Sequence, residues 1–248
     1  MKTKLTTIVT TLALACVPAF AGETAKSPPV VVSAVEKPLA VELSTGYANE
    51  YLWRGITLGR DLVFGQLHLE YGIADNTVIE AQGFYGAFNS FDDDQIDGSV
   101  GVRQQFGKLT AIAGYSVFDF PEEYKGTRQE LYGGFVYALP YDIKVGGTYN
   151  FSFEGDTQDY TEVYVSAPYV LSTDAEGNPT QFISGSVTQG LLLEEGEAAH
   201  TTLGVTYSYA VSKSLTLVPF FEYNFVQTDY VEGQDDDAFW GVKARLKF

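Results

Sequence analysis

The chain has 248 residues, a length that fits one large β domain or two smaller domains. It contains 17 tyrosines, 17 phenylalanines and 25 glycines, and these residues favour closely packed strands joined by turns. The net charge of −17 excludes nucleic acid as a partner, because phosphate binding needs a basic surface.

The first 21 residues have the three parts of a secretory signal peptide. Two lysines open the chain, an apolar run too short for a transmembrane helix follows, and Ala19–Ala21 is a small-residue cleavage site. Cleavage there would also remove Cys16, the one cysteine. A lipoprotein site at Cys16 is the competing interpretation, and Ala13 three residues earlier disfavours it. Residues 22–40, which contain three prolines, are expected to form an extended periplasmic segment.

From Val41 to the last residue, apolar side chains recur at every second position, the spacing of strands with one apolar face. The stretch IKVGGTYNFSF shows the pattern, and LGVTYSYAV repeats it. We predict twelve strands, each with about the 9–11 residues that cross a bilayer at a tilt. They lie at roughly 41–54, 61–73, 77–88, 96–106, 109–119, 128–139, 143–154, 160–171, 181–191, 201–211, 215–226 and 238–248.

The predicted connections alternate between tight turns such as GK and longer acidic loops such as NSFDDDQ. Only STDAEGNPT, after the eighth strand, departs from this alternation. Outer-membrane barrels have the same organisation, with short periplasmic turns and longer external loops. We therefore predict an all-β, transmembrane, antiparallel up-and-down barrel over residues 41–248, in the outer membrane of a Gram-negative-type bacterium. A secreted β-sandwich is the alternative, since it also hides one face of each strand.

The stretch EYLWRGITLGRD, residues 50–61, ends the first predicted strand. By alternation Tyr51 and Trp53 face lipid near the external end, where with Trp240 they would form an aromatic girdle. Arg54 falls on the opposite, inward side, and GITLGRD is expected to be the first external loop. Core packing of Trp53 is the alternative.

The longer stretch TGYANEYLWRGITLGRDLV resembles the first-strand signature of the TorF family of bacterial outer-membrane porins. The matching residues are Tyr51, Trp53, Arg54 and Gly55. The resemblance implies the barrel fold and a porin-like activity, but no particular solute and no catalytic residue. It also implies that Phe248 is the terminal signal that the barrel-assembly machinery recognises, and that lipid and lipopolysaccharide surround the barrel.

The face opposite the apolar one would line the barrel. We expect it to form a passive channel for small hydrophilic solutes, without a cofactor or metal, and to select them by size and charge. Inward charges that pair and fill the lumen are the alternative, because twelve strands lie between about eight, which are filled, and sixteen, which are open. The predicted pore-lining residues are Glu50, Arg54, His68, Glu70, Glu80, Arg103, Lys144, Glu162, Glu222, Lys243 and Arg245.

Other functions remain open at this stage. A closed barrel could act as a structural or adhesive surface protein through its acidic loops, and a homo-oligomer is possible. A barrel hydrolase would use His68 oriented by Glu70, but none of the common nucleophile or metal-hydrolase motifs occurs, so we expect no enzyme activity. The aspartate runs Asp92–Asp94 and Asp235–Asp237 lack the spacing of a calcium loop and fit a solvated surface.

Overall fold

The computed structural model describes residues 39–89, 94–120, 126–153, 159–192, 197–227 and 236–248. The predicted signal peptide and nearly all of the predicted extended segment lie outside these residues, and both stay predictions. The described chain forms twelve strands, which confirms the predicted number. They are β1 Leu39–Trp53, β2 Ile56–Ala74, β3 Thr77–Phe88, β4 Gln95–Phe106, β5 Leu109–Asp119, β6 Thr127–Ala138, β7 Lys144–Ser152, β8 Tyr160–Thr173, β9 Pro179–Leu192, β10 Glu197–Ala210, β11 Leu215–Val226 and β12 Asp237–Lys247.

The strands pair antiparallel in chain order, and β12 returns to pair with β1, so the sheet closes into a barrel. At the closing seam Glu42 lies opposite Lys247, and Gly46 lies opposite Lys243. Among the described strands, closure leaves no unpaired edge that could recruit another chain. The predicted antiparallel up-and-down barrel is confirmed.

The distribution of polarity is inverted relative to a soluble protein. Large apolar side chains such as Val100 and Phe151 are about half exposed on the outer face, at 50% and 44%. The inner face carries charged side chains that are almost fully buried, among them Arg103 and Glu222, each 2% exposed. Hydrocarbon surroundings favour this arrangement, because they solvate apolar side chains and leave polar groups to be satisfied inside.

Both ends of the barrel wall, Leu39 and Lys247, lie at one end of the barrel, together with the connections β2–β3, β4–β5, β6–β7, β8–β9 and β10–β11. We call it the turn end, and the opposite end the loop end. The β6–β7 connection contains a 3-10 turn, Pro140–Asp142. Within the described residues no helix is long and apolar enough to span a membrane.

Two glycines at the β1–β12 seam let aromatic rings lie against the inner wall of the barrel. The Phe64 ring covers Gly46, and the Phe220 ring covers Gly241 on the paired strand. A Cβ at Gly241 would collide with the Phe220 ring and with the backbone oxygen of Tyr47. The seam next to the aromatic rings therefore depends on these two glycines.

Replacement of Gly241 by alanine should lower the free energy of unfolding by about 1–3 kcal/mol, because the added methyl group overpacks the seam. The matched control is Gly65→Ala on β2, where a Cβ would meet nothing within 4 Å. That control should stay within about 0.5 kcal/mol of the parent. Urea titrations in lipid vesicles, followed by tryptophan fluorescence, measure both, and equal losses would contradict the packing described here.

Candidate functional site

The β1–β2 hairpin ends in a two-residue turn. Trp53 pairs with Ile56, and Arg54 and Gly55 form the turn with φ angles of 52° and 81°. Two successive positive φ angles are the mark of a type I′ turn, whose twist matches that of the flanking strands. Residues 51–58, which we call the hairpin tip, are therefore a continuous β structure rather than an irregular loop.

A β-bulge lies at the start of the hairpin tip. The register shifts between Tyr51 and Leu52, where Tyr51 pairs with Gly59 but Leu52 pairs with Thr57. Asp61, with a φ of 55°, marks a second irregular position, and the Tyr47 hydroxyl donates to its carboxylate at 2.6 Å. Bulges bend a strand and increase its twist, which here points the hairpin tip into the barrel.

The hairpin tip crosses the lumen from one wall to the other. On one side the ring centroids of Phe118 and Phe120, at the loop end of β5, lie 6.2 and 5.0 Å from that of Trp53. On another side Asn224 of β11 donates a hydrogen bond of 3.0 Å to the Gly55 carbonyl. Strands β5 and β11 are six positions apart in the ring of twelve, so the tip contacts opposite walls.

Arg54 fixes the tip to the far wall through a bidentate ion pair. Its Nη1 and Nη2 atoms lie 2.8 and 2.5 Å from the two carboxylate oxygens of Glu130 on β6. The guanidinium also lies 4.5 Å from the ring centroids of both Trp53 and Tyr160, and Arg128 lies 4.6 Å from that of Trp53. Bidentate and cation–π contacts between desolvated groups are strong, so the tip is held by its charge as well as by its apolar surface.

A chain of side-chain hydrogen bonds supports the turn from the other walls. The Tyr160 hydroxyl lies 2.9 Å from His200 Nε2, and His200 Nδ1 lies 3.1 Å from the Thr202 hydroxyl. Thr202 donates to Asn224 at 2.9 Å, and Asn224 in turn binds Gly55. Any Cβ at Gly55 would lie 2.6 Å from the Cβ of His200, so only glycine fits where the turn meets β10.

The predicted lipid-facing position of Tyr51 and Trp53 is wrong. Their exposed fractions are 0% and 6%, and both pack inside the barrel, Tyr51 against Phe84 and Phe88 of β3. The physical reason is that both faces of the strand are enclosed where the hairpin enters the lumen, since Glu50, Tyr51, Leu52 and Trp53 are all at most 8% exposed. The predicted loop GITLGRD is also wrong, since β2 already begins at Ile56.

Trp240 does lie on the outer face. It is 53% exposed, and its ring lies 6.0 Å from that of Tyr47 on the neighbouring strand. Phe248 is 66% exposed, and its backbone N–H donates to the Val41 carbonyl at 3.0 Å. A girdle role for Trp240 and a signal role for Phe248 stay predictions.

Four of the predicted pore-lining residues form one ion-pair network near the turn end. Arg103 Nη2 lies 2.9 Å from Glu70, and its Nη1 lies 3.4 Å from Glu80. His68 Nε2 lies 3.4 Å from the same Glu70 oxygen. His68, Glu70 and Glu80 could present ligand atoms within 4.8 Å of one another, but both carboxylates are already paired with the Arg103 guanidinium. The carboxylates of Glu70 and Glu80 are therefore paired with a cation and do not form a free acidic surface.

The other predicted pore-lining residues also face the barrel interior, but they are not brought into one cluster. Glu50 lies 3.5 Å from the Arg60 side chain beside the bulge, and Thr148 donates a 3.4 Å hydrogen bond to Glu162. Whether they line an open pore stays a prediction. The buried members of this group are Glu50, Lys144, Glu162, Glu222, Lys243 and Arg245.

Sequence analysis did not identify the residues that receive the hairpin tip. The one usable signal was the Arg54–Gly55 pair between alternating segments, which fits a two-residue hairpin turn. That signal is weak, because type I′ turns prefer asparagine or aspartate before the glycine. The missed residues are Phe118, Phe120, Arg128, Tyr160, Thr202 and Asn224, with His200 placed only at a loop end.

The fold is similar to those of solved outer-membrane porins and channels. An outer-membrane channel of Pseudomonas putida F1, described as COG4313, matches with 13% identity and a TM-score of 0.55, over 89% of this chain and 99% of that one. The NanC porin matches with 12% identity and a TM-score of 0.54, over 84% and 98%. The KdgM porin matches with 10% identity and a TM-score of 0.52, over 84% and 99%.

At these identities the similarity shows the fold alone: a closed barrel of the kind that outer-membrane porins have. No protein-family model and no curated protein sequence matches the chain. Membership of the TorF family therefore stays a prediction that rests on the first-strand signature.

Removal of either partner of the Arg54–Glu130 pair should destabilise the barrel by about 3–5 kcal/mol, because it leaves a buried charge uncompensated. The side chains are 8% and 2% exposed. A double-mutant cycle with Arg54→Met and Glu130→Gln should give a coupling of about 0.5–3 kcal/mol.

The control cycle uses Lys213 and Glu176, whose atoms lie 3.8 Å apart but whose side chains are 90% and 68% exposed. Its coupling should be about 0–1 kcal/mol, since solvent screens exposed pairs. Urea unfolding in lipid vesicles measures both cycles. No measurable coupling between Arg54 and Glu130 would contradict the inserted position of the hairpin tip.

Proposed function

We propose that the protein is a porin-like channel of the outer membrane of a Gram-negative-type bacterium, through which small hydrophilic solutes diffuse passively. The observation that carries the proposal is the closed barrel with an apolar outer face and a charged inner wall. Such a wall offers hydrogen bonds and compensating charges to a solute that has left bulk water. The similarity to porins and channels supports this fold-level argument.

In the proposed channel the hairpin tip is the constriction. It crosses the lumen at the loop end, where Trp53 and Arg54 are packed between β5, β6 and β8. A solute that enters from the loop end must pass beside these two side chains or displace them. We therefore assign the size selection of solutes to the hairpin tip. Arg54 and Glu130 neutralise each other, so the pair adds little net charge to the constriction.

The same proposal assigns roles to the outer face, to Phe248 and to His68. Lipid and lipopolysaccharide would cover the exposed apolar side chains of the outer face, with Trp240 near the loop end. The barrel-assembly machinery would recognise the terminal Phe248, which lies beside the β1–β12 seam. No catalytic role is assigned to His68, whose neighbours Glu70 and Arg103 form the ion-pair network described above.

A closed barrel that acts as a structural or adhesive surface protein is the second candidate. The specific observation in its favour is the depth of burial along the inner wall, where Glu130, Glu222 and Asn224 are at most 2% exposed. In this function the hairpin tip would be a permanent plug, and the loops of the loop end would bind the partner.

Single-channel recording in a planar lipid bilayer separates the two candidates. The channel proposal predicts discrete current steps for the parent, and steps at least about twofold larger for the Trp53→Ala/Arg54→Ala variant, because the constriction loses its two largest side chains. Trp240→Ala on the outer face is the matched control and should leave the steps unchanged. Correctly inserted protein that gives no steps in either form would contradict the channel and leave the surface protein.

A further inference from the structure

Hydroxyl side chains line the inner wall where β8, β9 and β10 lie side by side. Strand pairing places Ser166 opposite Ser186 and Ser184 opposite Thr206, so the hydroxyls of three strands are neighbours. Ser208 follows Thr206 on the same face of β10. We call this surface the hydroxyl wall, and its members are Ser166, Ser184, Ser186, Thr188, Thr206 and Ser208.

Three of these hydroxyls are buried without a hydrogen-bond partner in the described part of the chain. Ser166, Thr206 and Ser208 are 2%, 6% and 0% exposed, and their oxygen atoms make no hydrogen bond to any described residue. A buried polar atom that makes no hydrogen bond is costly, and native proteins satisfy nearly all such atoms. Three of them on one wall therefore indicate that a molecule in the lumen supplies the missing hydrogen bonds.

Two further polar groups meet over Gly204 of β10, which lies between them in the sheet. A Cβ at this glycine would lie 2.5 Å from the Ser186 hydroxyl and 3.7 Å from the carboxyl carbon of Glu222. One carboxylate oxygen of Glu222 also has no hydrogen-bond partner among the described residues. A glycine within a strand often marks a place where another group approaches the backbone closely. The absence of a side chain at Gly204 thus lets the hydroxyl wall continue to β11.

The hydroxyl wall connects the two ends of the barrel. At the turn end a cavity of about 470 Å³ opens between β9 and β12, and Phe182 is one of its lining residues. Phe182 lies opposite Ser208, so the wall begins where this cavity ends. Towards the loop end Thr188 lies opposite Thr202, which donates to Asn224 beside the hairpin tip. The wall is therefore continuous from the cavity to the constriction.

The chemistry of the hydroxyl wall suits an uncharged solute. Each hydroxyl both donates and accepts hydrogen bonds, so the wall can replace the hydration of a polar solute without adding a net charge. Opposite charges flank the wall on both sides, Lys144 and Glu162 on β7 and β8, and Glu222 and Lys243 on β11 and β12, and all four are at most 6% exposed. An ion that left bulk water here would lose hydration and find no excess of counter-charge.

We propose that the hydroxyl wall is the path of solutes through the middle of the barrel, and that it admits small uncharged molecules with hydroxyl or amide groups in preference to ions. The solute would supply the hydrogen bonds that Ser166, Thr206, Ser208 and Glu222 do not make within the described chain. It would exchange them step by step between the cavity and the hairpin tip. The inference rests on the proposed channel, to which it adds a route and a class of solute.

Uptake of radiolabelled erythritol and erythronate into proteoliposomes tests the preference for uncharged solutes. The two molecules have the same carbon skeleton, and erythronate carries a carboxylate in place of one hydroxymethyl group. With protein-free vesicles as the background, erythritol should enter at least about tenfold faster than erythronate, because the wall cannot compensate the carboxylate. Equal rates of entry would overturn the inference.

The variant Thr206→Val/Ser208→Ala tests the route. It removes two hydroxyls that make no hydrogen bond to the described chain and nearly preserves the shape of the wall. Erythritol uptake should fall at least about fivefold, because the solute loses two hydrogen bonds in the narrow part of its path.

The matched control is Thr110→Val/Ser116→Ala on β5. These hydroxyls are also buried, at 7% and 2%, but β5 lies five positions from β10 in the ring of twelve strands. The control should leave erythritol uptake within about twofold, since distant sites act independently. Equal losses in the two variants would overturn the proposed route.

Heat-modifiable gel mobility confirms that each variant is folded, and Thr206→Val alone replaces a double variant that misfolds. Single-channel recording on the parent separates the inference from the channel. Current steps without erythritol uptake would overturn the inference and keep the channel, whereas the absence of both steps and uptake would overturn the two together.

Discussion

The structure depends on the closure of β12 onto β1. Each strand pairs with two neighbours, and this pairing fixes which of its side chains point inward. In the closed barrel, successive side chains along a strand therefore point alternately to the outer face and into the lumen. Every other feature follows from this constraint: the exposed apolar face, the buried charges, and the need to compensate those charges within the lumen. The glycines of the seam, Gly46 and Gly241, allow the wall to close while aromatic rings lie against it.

The hairpin tip fills part of the lumen. A bulge at Tyr51 directs eight residues of β structure across the lumen, and the opposite walls supply a carboxylate, aromatic rings and an amide to receive them. The loop end is consequently the filled end of the barrel, whereas a cavity of about 470 Å³, lined by side chains of both charges, opens at the turn end. The proposed channel is therefore asymmetric, with a steric constriction at one end and a charged mouth at the other.

The sequence was sufficient to predict the fold, because period-two alternation and turn spacing are local properties that closure preserves. The same alternation assigned charged residues to the inner face, and their role as pore-lining residues stays a prediction. It failed at Tyr51 and Trp53, since both faces of the hairpin are buried where it enters the lumen, and the residue types do not mark where the strand leaves the wall. The partner of Arg54 could not be predicted either: Glu130 is 76 residues away, and only the closed barrel brings them together.

The most direct test uses the only two tryptophans, Trp53 and Trp240. Single-tryptophan variants, Trp240→Phe and Trp53→Phe, would be refolded into vesicles that contain brominated phospholipid, which quenches fluorescence on contact with the acyl chains. The account predicts strong quenching of Trp240, on the outer face, and little quenching of Trp53, inside the barrel. Equal quenching of the two would contradict the inserted hairpin, and no quenching of Trp240 would contradict the membrane-facing outer wall.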